Sequence, residues 1–144
     1  MADKTYVSIG DCIVKITFDP KYKNSMRPVM GEAVKKGIEA SGDFTTTNPH
    51  PGDKDAKSFS VNISVSITKD DKSKPPKVKV TVEYTGWFTG KGTSNQQFKG
   101  SATAITNATS KLDDDVKLLV KDAIADMTDK NGKMFKTMRD FLNQ

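Results

Sequence analysis

The clearest feature of the chain is an alternation of apolar and polar positions. In SFSVNISVSIT, residues 58–68, Phe59, Val61, Ile63, Val65 and Ile67 alternate with Ser58, Ser60, Asn62, Ser64, Ser66 and Thr68. A period of two sets alternate side chains on opposite faces of a strand, so this run predicts one apolar face and one neutral, hydroxyl-rich face. KVKVTVEYT, residues 77–85, repeats the pattern with Val78, Val80, Val82 and Tyr84 inward and Lys77, Lys79, Thr81, Glu83 and Thr85 outward. The polar, proline-bearing KDDKSKPP between them predicts an antiparallel hairpin with a loop longer than the tightest class.

Two further strands follow from the same rule. In CIVKITF, Cys12, Val14, Ile16 and Phe18 share one parity, with Gly10-Asp11 as a bend or bulge after YVSI and Asp19-Pro20 as the stop. Around Gln97 to Ile105, Phe98, Gly100, Ala102 and Ala104 share another, small enough for a helix to approach closely. GWFTGKGTSN, rich in glycine, reads as the intervening turn or hairpin loop.

Elsewhere the period changes to that of a helix. Met26, Val29, Met30, Ala33, Val34 and Ile38 recur at spacings of three and four, with Asn24 or Ser25 as the cap, Pro28 confined to the first turn and Gly42 beyond the end. Val116, Leu119, Val120, Ala123, Ile124 and Met127 form a second stripe, opened by a Ser110 to Asp113 capping box and by Asp113, Asp114 and Asp115 at the positive end of the dipole. After Asn131-Gly132, Met134, Phe135, Met138, Phe141 and Leu142 make a short amphipathic helix. The order strand, helix, three antiparallel strands, helix, short helix predicts a single α+β domain over residues 1–144. It is a two-layer sandwich with a mainly antiparallel sheet of about four strands and helices packed on one face.

Composition narrows the function classes. The chain has 144 residues, 28% of them charged, a net charge of +5, one cysteine and one histidine. Such a chain builds a core without covalent staples, and Cys12 forms no internal disulfide. No run approaches the roughly 20 apolar residues that cross a bilayer, so no membrane insertion is expected. The N-terminus shows no signal-peptide pattern. The expectation is a soluble, cytoplasmic protein, with export of a chain that has lost its signal peptide as the alternative.

Catalytic and metal chemistry find little support. His50 stands in Pro-His-Pro without a serine or cysteine partner, which favours an exposed loop over a general base. The carboxylates fall at helix starts and loop tips rather than in pairs of contrasting environment. Asp129 to Gly132 resembles part of an EF-hand loop, yet that alignment puts Met127 and Met138 at ligand positions that need oxygen. Gly90 to Ser94 lacks the spacing of a phosphate loop. One cysteine and one histidine make none of the usual zinc, haem or iron-sulfur ligand sets, so neither enzyme activity nor a cofactor is expected.

What remains is binding. The basic excess lies in the middle third, where Lys69, Lys72, Lys74, Lys77 and Lys79 crowd a hairpin near Trp87 and Phe88. Such lysines attract phosphate and such aromatics stack bases, which makes nucleic-acid binding the alternative function. The leading expectation is a non-enzymatic structural or protein-protein interaction module, self-assembling or accessory to a larger complex. Its contacts would be the open sheet face, that hairpin with Trp87 or Phe88, and a C-terminal docking helix over residues 133–144 bearing Phe135, Met138 and Phe141. In element order, with Gly42-Asp43-Phe44 after the first helix and Tyr84-Thr85-Gly86 at a strand end, the chain resembles small α+β modules of bacterial envelope assembly proteins. The resemblance implies no site residues.

Overall fold

Alternation and helical stripes resolve into eight elements in the computed structural model, which describes residues 4–49, 51–53, 55–90 and 96–143. In chain order these are β1 (Thr5–Ile16), α1 (Lys21–Ala40), β2 (Phe44–Thr45), β3 (Ser58–Asp70), β4 (Lys77–Thr89), β5 (Gln96–Asn107), α2 (Leu112–Met127) and α3 (Lys133–Leu142). The strands form one curled sheet in the order β2-β1-β3-β4-β5.

The sheet is mixed rather than simply antiparallel. β1 runs parallel to both β2 and β3, whereas β3, β4 and β5 form an antiparallel meander. The physical reason is α1: a helix between β1 and the following strands returns the chain to the same end, and a parallel pair needs such a crossover. The expected sheet of about four strands therefore gains a fifth, the two-residue β2, too short to leave an alternating pattern. Between Ile9 and Cys12 the β1–β3 register shifts, and the Asp11 amide there donates to Asn62 Oδ1 at 3.0 Å. The Gly10-Asp11 irregularity is a bulge.

One face of the sheet carries the core. Val7, Val14, Phe59, Val61, Ile63, Val65, Ile67, Val78, Val80 and Val82 are at most 1% exposed, packed against Met30, Val34 and Ile38 of α1 and Val116, Val120, Ala123 and Ile124 of α2. α1 begins earlier than its periodicity predicts, at Lys21, because Asp19 takes the first amides: Lys21 N–H donates to its Oδ1 and Tyr22 N–H to its carbonyl. Pro28 consequently sits inside the helix, on the exposed side. Gly42 takes φ +90° just beyond the end, the left-handed conformation expected of it.

α2 also starts differently. Lys111 occupies its N-cap without a side-chain cap bond, so the expected capping box does not form. Its acids have other partners: Asp115 accepts from the Thr109 amide and hydroxyl, each at 2.7 Å, and Asp113 accepts from the Tyr22 hydroxyl at 2.5 Å. Tyr22 meets Asp113 near the starts of α1 and α2, and Gly37 faces Thr128 near their ends. The two helices therefore run parallel, side by side. A Cβ on Gly37 would collide with the Thr128 hydroxyl, so this close approach requires glycine.

Candidate interaction surface

Three surfaces deserve comparison: the hairpin lysines, the helix layer and the sheet. The sequence places Lys69, Lys72, Lys74, Lys77 and Lys79 beside Trp87 and Phe88, but the strand separates them. Lys77 opens β4 opposite Asp70, and Trp87 lies near the other end opposite Ser60. Ten residues of strand put roughly 30 Å between the lysine-rich tip and the indole. Gly86 to Thr89, read as part of a turn, continue β4 instead. Phe88 is 1% exposed and stacks on Phe59 and Phe141 with centroids 4.9 and 5.5 Å away, whereas half-buried Trp87 stands on the open face. No combined surface of lysines and stacking rings forms. At the tip, Lys69 pairs with Asp71 at 3.1 Å, and Asp70 accepts from the Lys72 and Ser73 amides and the Ser73 hydroxyl. Those bonds, the Ser73 hydroxyl foremost, hold the Asp70 carboxyl below its ordinary pKa.

The apolar side of α3 packs on its own domain. Met134, Phe135 and Met138 are at most 1% exposed, Phe135 stacks on Phe44 at 5.2 Å, and the half-buried Phe141 packs on Phe88 and Phe98. Arg139 ties the helix down: Nε donates to Asp43 Oδ2 at 2.7 Å, Nη2 to Asp43 Oδ1 at 2.9 Å and Nη1 to the Lys130 carbonyl at 2.6 Å. The surface α3 offers a partner is thus its polar side.

Between α1 and α2 lies a half-open groove of about 550 Å³. Val29, Ala33, Gly37, Ala40 and Ala125 floor it, and Glu32, Lys36, Lys121 and Lys130 stand at its rim. Among the described residues no three histidine, cysteine or carboxylate side chains gather to hold a metal. His50 and Lys91 to Asn95 lie outside the described residues.

The sheet offers the most distinctive surface, because its two edges are treated oppositely. On one side β2 covers only Thr5 and Tyr6 of β1, with Glu39 at its end; beyond it β1 itself is the edge, broken by the Gly10-Asp11 bulge and charged at Asp11 and Lys15. The Glu39 carboxylate accepts from the Thr46 amide and hydroxyl, each at 2.7 Å, and from the Thr45 hydroxyl at 3.0 Å. These bonds, the Thr46 amide first, lower its pKa. The β5 edge runs twelve residues, pairs with β4 without a register shift from Gln96 to Asn107, and contains no proline and one charge, Lys99. Among the described residues no further backbone hydrogen bond reaches its outer side. Natural sheets blunt such edges with short strands, bulges, prolines or charges, and β5 uses almost none of them.

The flanks of that edge differ. On the open face lie exposed Gln97, Lys99, Ser101, Thr103 and Ile105, the last 57% exposed. On the helix face β5 presents Phe98, Gly100, Ala102 and Ala104, with α2 lying across β4 and β5. Helical periodicity turns Lys121, Ala125 and Thr128 of α2 toward the α1 groove. It turns Asp115, Asp122 and Asp126 the other way, toward the β5 edge. Sequence reading missed this edge because strand order is a property of long-range pairing.

No protein-family model and no curated protein matches the chain. Solved structures do share its fold. A minor lipoprotein from Acinetobacter baumannii superposes with a TM-score of 0.56 at 12% identity, over 94% of each chain. Rare lipoprotein B from Shewanella oneidensis gives 0.53 at 12%, over 94% of this chain and all of that one. The PelC dodecamer from Paraburkholderia phytofirmans gives 0.55 at 10%, over 90% of each. At such identities the likeness establishes the fold. None of the three names is an enzyme's, and one relative in fold is a homo-oligomer. The comparisons overturn the expectation of a cytoplasmic protein, since two structures matched over nearly their full lengths are named lipoproteins.

Proposed function

We propose that this chain is a non-enzymatic interaction module of the bacterial envelope type, an accessory component that joins a larger assembly through its sheet, with the β5 edge as the principal contact. The observation that carries this reading is the contrast between the two edges: on one side a two-residue β2 and then β1, bulged at Gly10-Asp11 and charged at Asp11 and Lys15, and on the other a twelve-residue β5, regular, nearly uncharged and without a further strand among the described residues. An edge of that length offers a row of backbone donors and acceptors to an added strand, so main-chain bonds supply affinity and side-chain positions supply selectivity. The partner is another protein or a further copy of the chain. The lipoprotein names and the dodecamer among the fold relatives favour an envelope component that works in company.

Selection from an unbiased library of short peptides tests the reading, with each binder located by amide chemical-shift changes. Binders that perturb Gln96–Asn107 support it. A library that yields no binder, or binders that all map to the α1/α2 groove or the hairpin, contradicts it.

A further inference from the structure

We infer that the β5 edge receives an extended segment with basic side chains at alternate positions, from a different protein rather than from a second copy of this chain. The inference rests on the reading of β5 as the contact and adds the chemistry of what pairs there. A strand added to β5 lies about 4.8 Å beyond it, and alternate side chains then point to the helix face. On that face its neighbours are the half-buried Ala102 and Ala104, Gly100 being covered by the Tyr84 ring, and the flank of α2 bearing Asp115, Asp122 and Asp126. Asp115 is committed to Thr109, whereas exposed Asp122 and Asp126 make no ion pair among the described residues. Lysine or arginine side chains at alternate positions of the incoming strand run beside this flank of α2 and bring their charges to these carboxylates.

The same flank disfavours a second copy. Two-fold pairing of β5 with β5 keeps both open faces on one side, because opposite residues of an antiparallel pair share a face. Both α2 helices then lie on the other side, with Asp115, Asp122 and Asp126 of one copy facing those of the next. Like charges so placed repel, so the acid row guards the bare edge against self-pairing. Among the other charges nearby, Lys99 points to the open face, Lys111 stands at the N-cap of α2 one turn before Asp115, and periodicity turns Lys117 and Lys121 toward α1.

The test titrates the full chain with two synthetic ten-residue peptides, one alternating lysine and valine and one alternating glutamate and valine. The expected result is binding of the lysine peptide about tenfold or more tighter than the glutamate peptide, shift changes confined to Gln96–Asn107 and α2, and weakening with salt. The double variant Asp122→Lys/Asp126→Lys, at exposed positions that leave the fold intact, is expected to reverse the preference. Equal affinity for both peptides at β5, or a preference unmoved by the variant, overturns the inference while leaving β5 as the contact. Binding of neither peptide at β5, or self-association of the wild-type chain through β5 at neutral pH, also overturns it. Library binders that avoid β5 contradict the functional reading itself.

Discussion

Phe98 folds over Gly86, the residue directly opposite it across the β4–β5 pair, so closely that a Cβ on Gly86 would run into the ring. Two pairs along, on the same face, the arrangement is reversed: Tyr84 lies over Gly100. Each glycine thus provides the floor for an aromatic ring on the core face. The expected consequence is that Gly86→Ala and Gly100→Ala each destabilise the fold by about 1–3 kcal/mol through overpacking. Urea unfolding should also show a smaller loss for Gly86→Ala in a Phe98→Leu background, because the two positions are coupled.

Arg139 and Asp43 predict a pH dependence. The Arg139 hydrogen bonds, and then its charge, hold the Asp43 carboxyl below its ordinary range. A folded-state pKa below the unfolded value, about 3.9, gives stability that is present above that value and lost as pH falls through the folded one. Both side chains are partly exposed, so Arg139→Ala should cost only about 1 kcal/mol near neutral pH. Acid titration of stability should show a shallower slope in the variant than in the parent. Identical slopes would mean that the pair contributes nothing.

Tyr22 and Asp113 make the corresponding prediction at high pH. Burial first, then the hydrogen bond to Asp113, push the Tyr22 phenol up to about 12. A raised folded-state pKa means that the stability is complete below the ordinary tyrosine value of about 10 and is lost as pH rises toward the folded one. Tyr22→Phe is expected to cost about 1–2 kcal/mol and to remove the part of the alkaline stability loss that belongs to this phenol. Stability followed from pH 8 upward, beside absorbance titration of the phenols, checks both.

Separation of the hairpin lysines from the aromatics gives a negative prediction. Replacing Lys72, Lys74, Lys77 and Lys79 with serine should change stability by no more than about 0.5 kcal/mol per site and leave peptide binding at β5 unaffected. Unfolding midpoints and the lysine-peptide titration read the two effects. A marked loss of β5 binding would place the contact nearer the hairpin.

How far the sequence foretold this molecule depends on the range of the interaction involved. The β3–β4 hairpin, the parity of Tyr84 and the stripes of α1, α2 and α3 were legible because period and burial are local. β2 was not, since two residues leave no alternation, and neither was the parallel pairing of β1 with β3, which depends on α1 as a crossover. Gly86 read as a turn because glycine ordinarily punctuates, and only the residue opposite, Phe98, explains it inside a strand. The β5 edge and the acid flank of α2 meet through tertiary packing. Asp115, Asp122 and Asp126 could have been assigned to one helix side from the sequence, but which strand that side overlooks could not.

Hydrogen exchange along β5 tests the central claim most directly, because it reads whether the edge is free and whether it becomes paired. In the isolated chain, alternate amides of Gln96–Asn107 should exchange fast while those bonded to β4 are protected, and a peptide bound at β5 should slow the fast set. Protection of both sets in the free monomer, or a fast set unchanged by the bound peptide, would contradict the claim.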